Sequence, residues 1–161
     1  MAERIAQRLA ARGLEFRLHD LSTAPVMADL PDMSPVVVVA AVRYGRHLPE
    51  AERFFAACQG SAAPLVLLSV NLTARKPGKR GEGGNRYLRS AVARFGLKPA
   101  LAAAIAGRLD YPRYGWLDRQ VIRLIMAMTG GPTDPRACIE FTDWAAVDAI
   151  ADQIGVYFND V

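Results

Sequence analysis

The feature that most constrains this chain is a run of seven apolar residues with no polar alternation, Val36 to Val42, which reads V-V-V-V-A-A-V. A strand with one wet face alternates polar and apolar residues. An unbroken β-branched run therefore fits a strand covered on both faces, as parallel sheets require. A second run, Pro64 to Val70 (P-L-V-L-L-S-V), and a third over about Ala100 to Gly107 repeat the pattern. Helical stretches separate them, from about Pro49 to Cys58 and from about Asn85 to Phe95. Strand, helix, strand, helix, strand in this rhythm predicts an α/β fold, a doubly wound parallel sheet with helices on both faces.

The flanking segments are read in the same way. Ala2 to Arg12 sets Ile5 and Leu9 on one helical face and Arg4, Arg8 and Arg12 on another, and Gly13 ends it. Leu14 to Leu18 is short and apolar with Glu15 and Arg17 interposed, which predicts a strand near a sheet edge, and Asp20 to Pro35, with three prolines, predicts a loop. Asp118 to Met128 is a helix candidate, Cys138 to Phe141 a short strand, and Asp143 the N-cap of a terminal helix striped by Ala146, Ile150 and Ile154. With 161 residues, 52% of them apolar, the chain can bury one core, so residues 1–161 read as a single domain.

Charge is uneven. The net charge is +4, yet Leu72 to Arg136 alone carries thirteen basic residues against four acids. Such asymmetry points to an anionic partner: phosphates, carboxylates or lipid headgroups. Nucleic acid is not expected, because the segment has no nucleic-acid motif and its aromatics gather in one short loop. Cys58 and Cys138 lie far apart without metal-ligand spacing and read as buried thiols in a reducing compartment, with no metal site. No secretory signal precedes the first helix, so the expected location is cytoplasmic.

In open α/β sheets ligands bind beyond the carboxyl ends of the strands. The connections to inspect are therefore Arg43 to Leu48, Asn71 to Arg80 and Arg108 to Trp116, which are rich in Arg, Tyr and Gly. Arg43 and Tyr44 could equally do no more than cap a strand. Further evidence comes from A-V-R-Y-G at Ala41–Gly45, S-V-N-L-T-A-R-K-P-G-K-R at Ser69–Arg80, Y-P-R-Y-G-W-L-D-R at Tyr111–Arg119, L-I-M-A-M-T-G-G-P-T-D at Leu124–Asp134 and F-T-D-W at Phe141–Trp144. Together, and in this order, these fragments resemble the menaquinone-dependent protoporphyrinogen oxidases of the flavodoxin-like superfamily.

That resemblance implies a three-layer flavodoxin-like fold, an FMN cofactor, protoporphyrinogen IX as substrate, menaquinone or ubiquinone as acceptor, and a step late in haem synthesis. By position, Ala41, Val42, Arg43, Tyr44 and Gly45 would flank one side of the flavin ring, and Ser69, Val70, Asn71, Leu72 and Ala74 would contact its pyrimidine edge. The family-specific insertion, about residues 108–136, contributes Tyr111, Tyr114 and Trp116, which could stack on flavin or tetrapyrrole or anchor the insertion to the core. Arg75, Lys76, Lys79 and Arg80 could pair with substrate propionates or rest on anionic lipid, or be an ordinary solvated loop. Gly78, Gly81, Gly83 and Gly84 are expected to make that loop mobile. The mechanism implied is hydride transfer from a methylene bridge to the flavin, loss of a pyrrole proton, and reoxidation by quinone, repeated three times. His47 is the nearest candidate base, although an isolated His is more often structural.

Three further expectations follow. Leu117, Val121, Leu124, Ile125 and Met128 share a helical face beside Arg119 and Arg123. About a dozen residues cannot cross a hydrocarbon core that needs ~20. The helix is expected either to lie in an anionic membrane surface, peripheral on the cytoplasmic face of the inner membrane, or to pack on the sheet. Second, flavodoxin-like chains open with a central strand and a phosphate-binding loop, whereas here Met1 sits almost inside the first helix, so the first central strand is expected to be missing from this chain, through an upstream start or a real truncation. The valine run would then be an edge. Third, the rival functions are a non-enzymatic flavodoxin-type electron carrier, which the basic insertion disfavours, and a cofactor-free membrane-binding module. A homo-oligomer is possible on this sequence.

Overall fold

Alternating burial decides where each strand residue points. In the computed structural model, which describes residues 1–23 and 34–159, β1 (Val36–Arg43), β3 (Leu65–Val70) and β4 (Leu101–Ile105) lie side by side and parallel. The register runs from Val36 opposite Leu65 to Ala41 opposite Val70, and from Val66 opposite Leu101 to Val70 opposite Ile105. Val38, Ala40, Leu65, Leu67 and Ala104 face one way, onto Phe54 and Phe55 of α2 (Pro49–Ala57) and Leu88 and Ala91 of α3 (Arg86–Phe95). Val37, Val39, Val66, Leu68 and Ile105 face the other, onto Ile5 and Leu9 of α1 (Ala2–Ala10) and Val147, Ala151 and Ile154 of α5 (Trp144–Asn159). The result is three layers, α2 and α3, sheet, α1 and α5. Each fully buried aliphatic side chain stabilises this arrangement by about 1.5–3 kcal/mol. The arginine stripe of α1 is used locally: Arg4 pairs with Asp148 (2.6 Å), and Arg8 and Arg12 pair with Asp152 (3.0 Å each).

Four expectations need correction. Leu14 to Leu18 forms no strand; the Leu14 N–H closes back on Leu9 O (3.2 Å), and Phe16 and Leu18 are exposed. A strand exists only by exchanging hydrogen bonds with a neighbour, and among the described residues none runs beside 14–18. The edge of β1 away from β3 pairs only at Val42 and Arg43, with the two-residue strand β2 (Arg46–His47), so the valine run is an edge over 36–41 among the described residues. Second, what read as a loop after Val42 is a tight hairpin. Third, β5 (Arg108–Asp110) and β6 (Cys138–Glu140) form a small antiparallel pair of their own, and the helix between them, α4, starts at Trp116, two residues earlier than the apolar pattern marked, and ends at Met128 as expected. Fourth, Cys138 is exposed and accepts a hydrogen bond from Arg108 (2.8 Å), because β6 is a peripheral strand. Cys58 is buried, and burial pushes its thiol up to about 11. The loop expected over Asp20 to Pro35 lies largely outside the described residues.

Candidate functional site

The carboxyl ends of β1, β3 and β4 form one rim. At the first of them the chain reverses through Tyr44 (φ 51°) and Gly45 (φ 81°), so that Arg43 pairs with Arg46. Two central residues at positive φ match the right-handed twist of a two-residue hairpin. Glycine takes that region freely; tyrosine does so at a cost of about 1–2 kcal/mol. The strained Tyr44 presents an exposed ring at the rim, and its hydroxyl hydrogen-bonds the Asp118 carboxylate in the first turn of α4. Ala41, Arg43 and Gly45 are also exposed, and Val42 is half-buried.

Beneath the second loop runs a chain of buried polar side chains. His47 Nε2 meets Ser69 Oγ (2.9 Å), Asn71 Nδ2 donates to Ser69 Oγ (3.1 Å), and Asn85 Nδ2 donates to Asn71 Oδ1 (3.0 Å). Asn71 Oδ1 also accepts from Ala74 N (3.2 Å), capping the 3₁₀ turn Leu72–Arg75, while Asn85 Oδ1 caps α3 by accepting from Tyr87 N and Leu88 N (3.2 Å each). Buried polar groups are tolerated only when paired, and here the pairing fixes the backbone of Ser69 to Ala74 in one shape. His47, the candidate base, is part of this floor. Its ring stands edge-on to Phe55 (5.3 Å), and burial holds it below its ordinary value near 6.5, against a weaker upward pull from Glu52. It is a buried imidazole packed into the floor and does not open on the rim.

The basic residues that follow do different things. Arg75 donates to Leu72 O (2.8 Å) and reaches across to Thr129 O (3.3 Å) and Thr129 Oγ1 (3.2 Å) just past α4, its guanidinium lying 6.0 Å from the centre of the Phe141 ring. Arg80 pairs with Asp143 (3.0 Å) across an exposed gap. Lys76 is half-buried and Lys79 exposed. The glycines here do not serve mobility: Ala104 N donates to Arg80 O (2.6 Å), Gly81 bridges Ala103, Asn85 Nδ2 holds Lys79 O (3.0 Å), and a Cβ on Gly84 would land on the Gly78 carbonyl oxygen. The loop folds back along the edge of β4, and glycine permits the close approach.

The insertion carries a third small core of Leu109, Tyr111 and Met126, with Leu72, Tyr114, Ile122 and Phe141 packed around it. Tyr111, expected on a ligand, is completely buried; its hydroxyl donates to Pro132 O (2.8 Å) and its ring meets Tyr114 edge-on (6.1 Å). It anchors the insertion, since its pairing and packing are satisfied internally, and leaves half-buried Tyr114 and exposed Trp116 as the accessible aromatics of the segment. α4 ends in a Schellman turn with Gly130 at φ 68° and Gly131 N donating to Met126 O (2.7 Å). Only Met126 of this helix is buried, while Trp116, Leu117, Val121, Leu124, Ile125 and Met128 are exposed, Met128 by 79% and Trp116 by 70%. The apolar stripe therefore faces outward and does not pack on the sheet. No helix among the described residues is long and apolar enough to cross a membrane.

The rim fits a flavin in two respects. Tyr44 offers an accessible ring held in a strained conformation beside a loop of fixed backbone. Arg119, half-buried in the first turn of α4, donates Nη2 to Tyr114 O (3.2 Å), but its buried Nε has no partner among the described residues, a donor left for an oxygen or nitrogen acceptor. A cleft of about 460 Å³ lies at the opposite, amino-terminal rim between Cys58, Pro64, Leu65, Leu97, Lys98 and Tyr157. It converges no comparable set of polar groups. Sequence reasoning missed Arg119, Asp118 and Asn85 as site elements, because each acquires its role from a partner distant in sequence.

Comparison with known proteins places the chain in a family. A family model described as a flavodoxin domain matches residues 1–136. A protein of Escherichia coli (strain K12) named protoporphyrinogen IX dehydrogenase [quinone] is 42% identical over 121 residues, covering 74% of this chain and 67% of the relative. One of the same name from Leishmania major is 40% identical over 124 residues, covering 76% of this chain and 54% of the relative, so the match spans about half of that protein. No solved structure matches the chain significantly. The flavodoxin domain implies a flavin cofactor. The chain belongs to the flavodoxin-domain family and, within it, to the oxidoreductases named protoporphyrinogen IX dehydrogenase [quinone].

Proposed function

We propose that the chain oxidises protoporphyrinogen IX to protoporphyrin IX with a quinone as acceptor, using FMN at the carboxyl rim of its sheet, as a late step of haem synthesis. The observation that carries this reading is the convergence at one rim of a hydrogen-bonded loop floor, the chain His47, Ser69, Asn71 and Asn85, with a basic segment and an outward apolar helix. FMN, when bound, supplies two-electron acceptance from the tetrapyrrole and donation to the quinone.

The residues of the chain bind and orient. Ala41 to Gly45 and Ser69 to Ala74 flank the ring, with Arg119 Nε a further donor. Lys76, Lys79 and Arg80 meet the propionate carboxylates, and Tyr114 and Trp116 cover the apolar macrocycle. Arg75 is left out of the carboxylate set because its guanidinium is half-buried and held by Leu72 O and Thr129, whereas the pairing of Arg80 with Asp143 is exposed and can be exchanged for a propionate. No side chain at the rim is assigned as base, so the pyrrole protons pass to water. The outward apolar face of α4 lies on the anionic cytoplasmic leaflet, where the apolar quinone is dissolved. Anaerobic incubation of the FMN-supplemented chain with protoporphyrinogen and menaquinone tests this reading. Porphyrin fluorescence should rise only when both FMN and quinone are present, and no rise in the complete mixture would refute it.

A further inference from the structure

α4 is attached to the rim at both ends. At its start the Asp118 carboxylate takes the Tyr44 hydroxyl, from the turn after β1. At its finish the Thr129 carbonyl and hydroxyl take Arg75, from the turn after β3. Arg75 is well placed for this. Its Nη1 is tied to Leu72 O in its own turn (2.8 Å), so one guanidinium spans both segments, and a cation at a helix carboxyl terminus also meets the negative end of the helix dipole. Space is reserved for it: a Cβ on Gly131 would come within 2.9 Å of Arg75 Nη2. Leu72, from that same turn, packs into the insertion core beside Met126.

We propose that Arg75 is a positioning residue, clamping the carboxyl end of α4 to the turn after β3, so that the outward apolar helix and the loop floor of the rim move as one body. It is not a ligand for a substrate carboxylate. The clamp deepens the function proposed above by saying how a helix that meets the quinone side is kept in register with the rim. It rests on that reading only for the kinetic part of its test.

Arg75→Leu, Arg75→Lys and Thr129→Val in the full chain would be followed by amide hydrogen exchange and by steady-state kinetics. Loss of a charged hydrogen bond at a helix end should speed exchange in the last two turns of α4 by about tenfold in Arg75→Leu. Thr129→Val should give a smaller acceleration in the same place, and Arg75→Lys should recover part of the protection. Exchange in β3 and α3 should stay near wild type, which separates local release from general unfolding. In turnover, Arg75→Leu should lower kcat/KM for quinone several-fold while KM for protoporphyrinogen stays within twofold, with Lys again restoring part. Exchange in α4 within twofold of wild type in both Arg75→Leu and Thr129→Val would overturn the clamp. So would a KM effect confined to protoporphyrinogen, which would mark Arg75 as the carboxylate ligand. If no variant or wild type turns over protoporphyrinogen, the functional reading fails while the exchange data still decide the clamp.

Discussion

Replacing Asn85 probes the polar floor of the rim more sharply than any other single change. Its side chain does two jobs: Oδ1 caps α3 through Tyr87 N and Leu88 N, and Nδ2 donates to Asn71 Oδ1 and Lys79 O (3.0 Å each). Losing the cap in Asn85→Ala costs about 1 kcal/mol, and losing two buried hydrogen bonds costs about 1 kcal/mol each. The expected total is about 3 kcal/mol. For a chain of 161 residues that corresponds to a fall in Tm of roughly 6–12 °C. Asn85→Asp separates the two jobs. Aspartate caps a helix as well as asparagine, so capping alone predicts no loss. It cannot donate, however, and sets a carboxylate against two oxygens, so the floor predicts a loss at least as large as that of alanine. Urea unfolding at neutral pH measures both. An Asn85→Asp variant within about 0.5 kcal/mol of wild type would show that Asn85 is a cap and nothing more.

Other consequences are independent of that one. Because burial keeps His47 below about 6.5 when folded, the unfolded chain binds its proton first as pH falls. Stability should therefore be lost as pH drops through 6.5, and thermal melts from pH 8 to 5 should fall less steeply in His47→Gln; equal slopes would remove His47 as the cause. Gly84→Ala drives a Cβ into the Gly78 carbonyl, backbone against backbone, and should cost about 2–3 kcal/mol in urea; an unchanged midpoint would mean the basic loop does not fold back on β4. Leu124→Glu with Met128→Glu alters two exposed side chains, so melting should be unchanged while co-sedimentation with phosphatidylglycerol vesicles is lost. Retained sedimentation would place the lipid contact elsewhere.

The sheet was legible because its residues obey a rule that is local. Val36 to Val42 and Pro64 to Val70 are apolar on both faces, and the structure divides them between two helical layers residue by residue. α3 was legible as a helical stretch between two strands, and α5 from Asp143, whose carboxylate accepts from Ala146 N (3.0 Å) and is held below the usual carboxylate range by that bond and by Arg80. The hairpin after β1 was not, because the usual asparagine is replaced by Tyr44, and nothing in Tyr announces a positive φ. Leu14 to Leu18 has strand composition, but a ladder is a property of two segments. The Asn71 and Asn85 pair is fourteen residues apart and looks like ordinary loop polarity until the fold brings the amides together. The partners of Arg75 were hidden for the same reason: Thr129 lies across the insertion, and a basic run in isolation reads as a surface for anions.

The claim on which the rest depends is that flavin lies across the turn after β1 and the loop after β3. Amide hydrogen exchange of the chain with and without FMN tests it directly. The account predicts new protection in residues 41–48 and 69–75, on the floor formed by Asn71 and Asn85. Absence of any FMN-dependent protection, or protection confined to the opposite rim around residues 60–65 and 96–100, would contradict it.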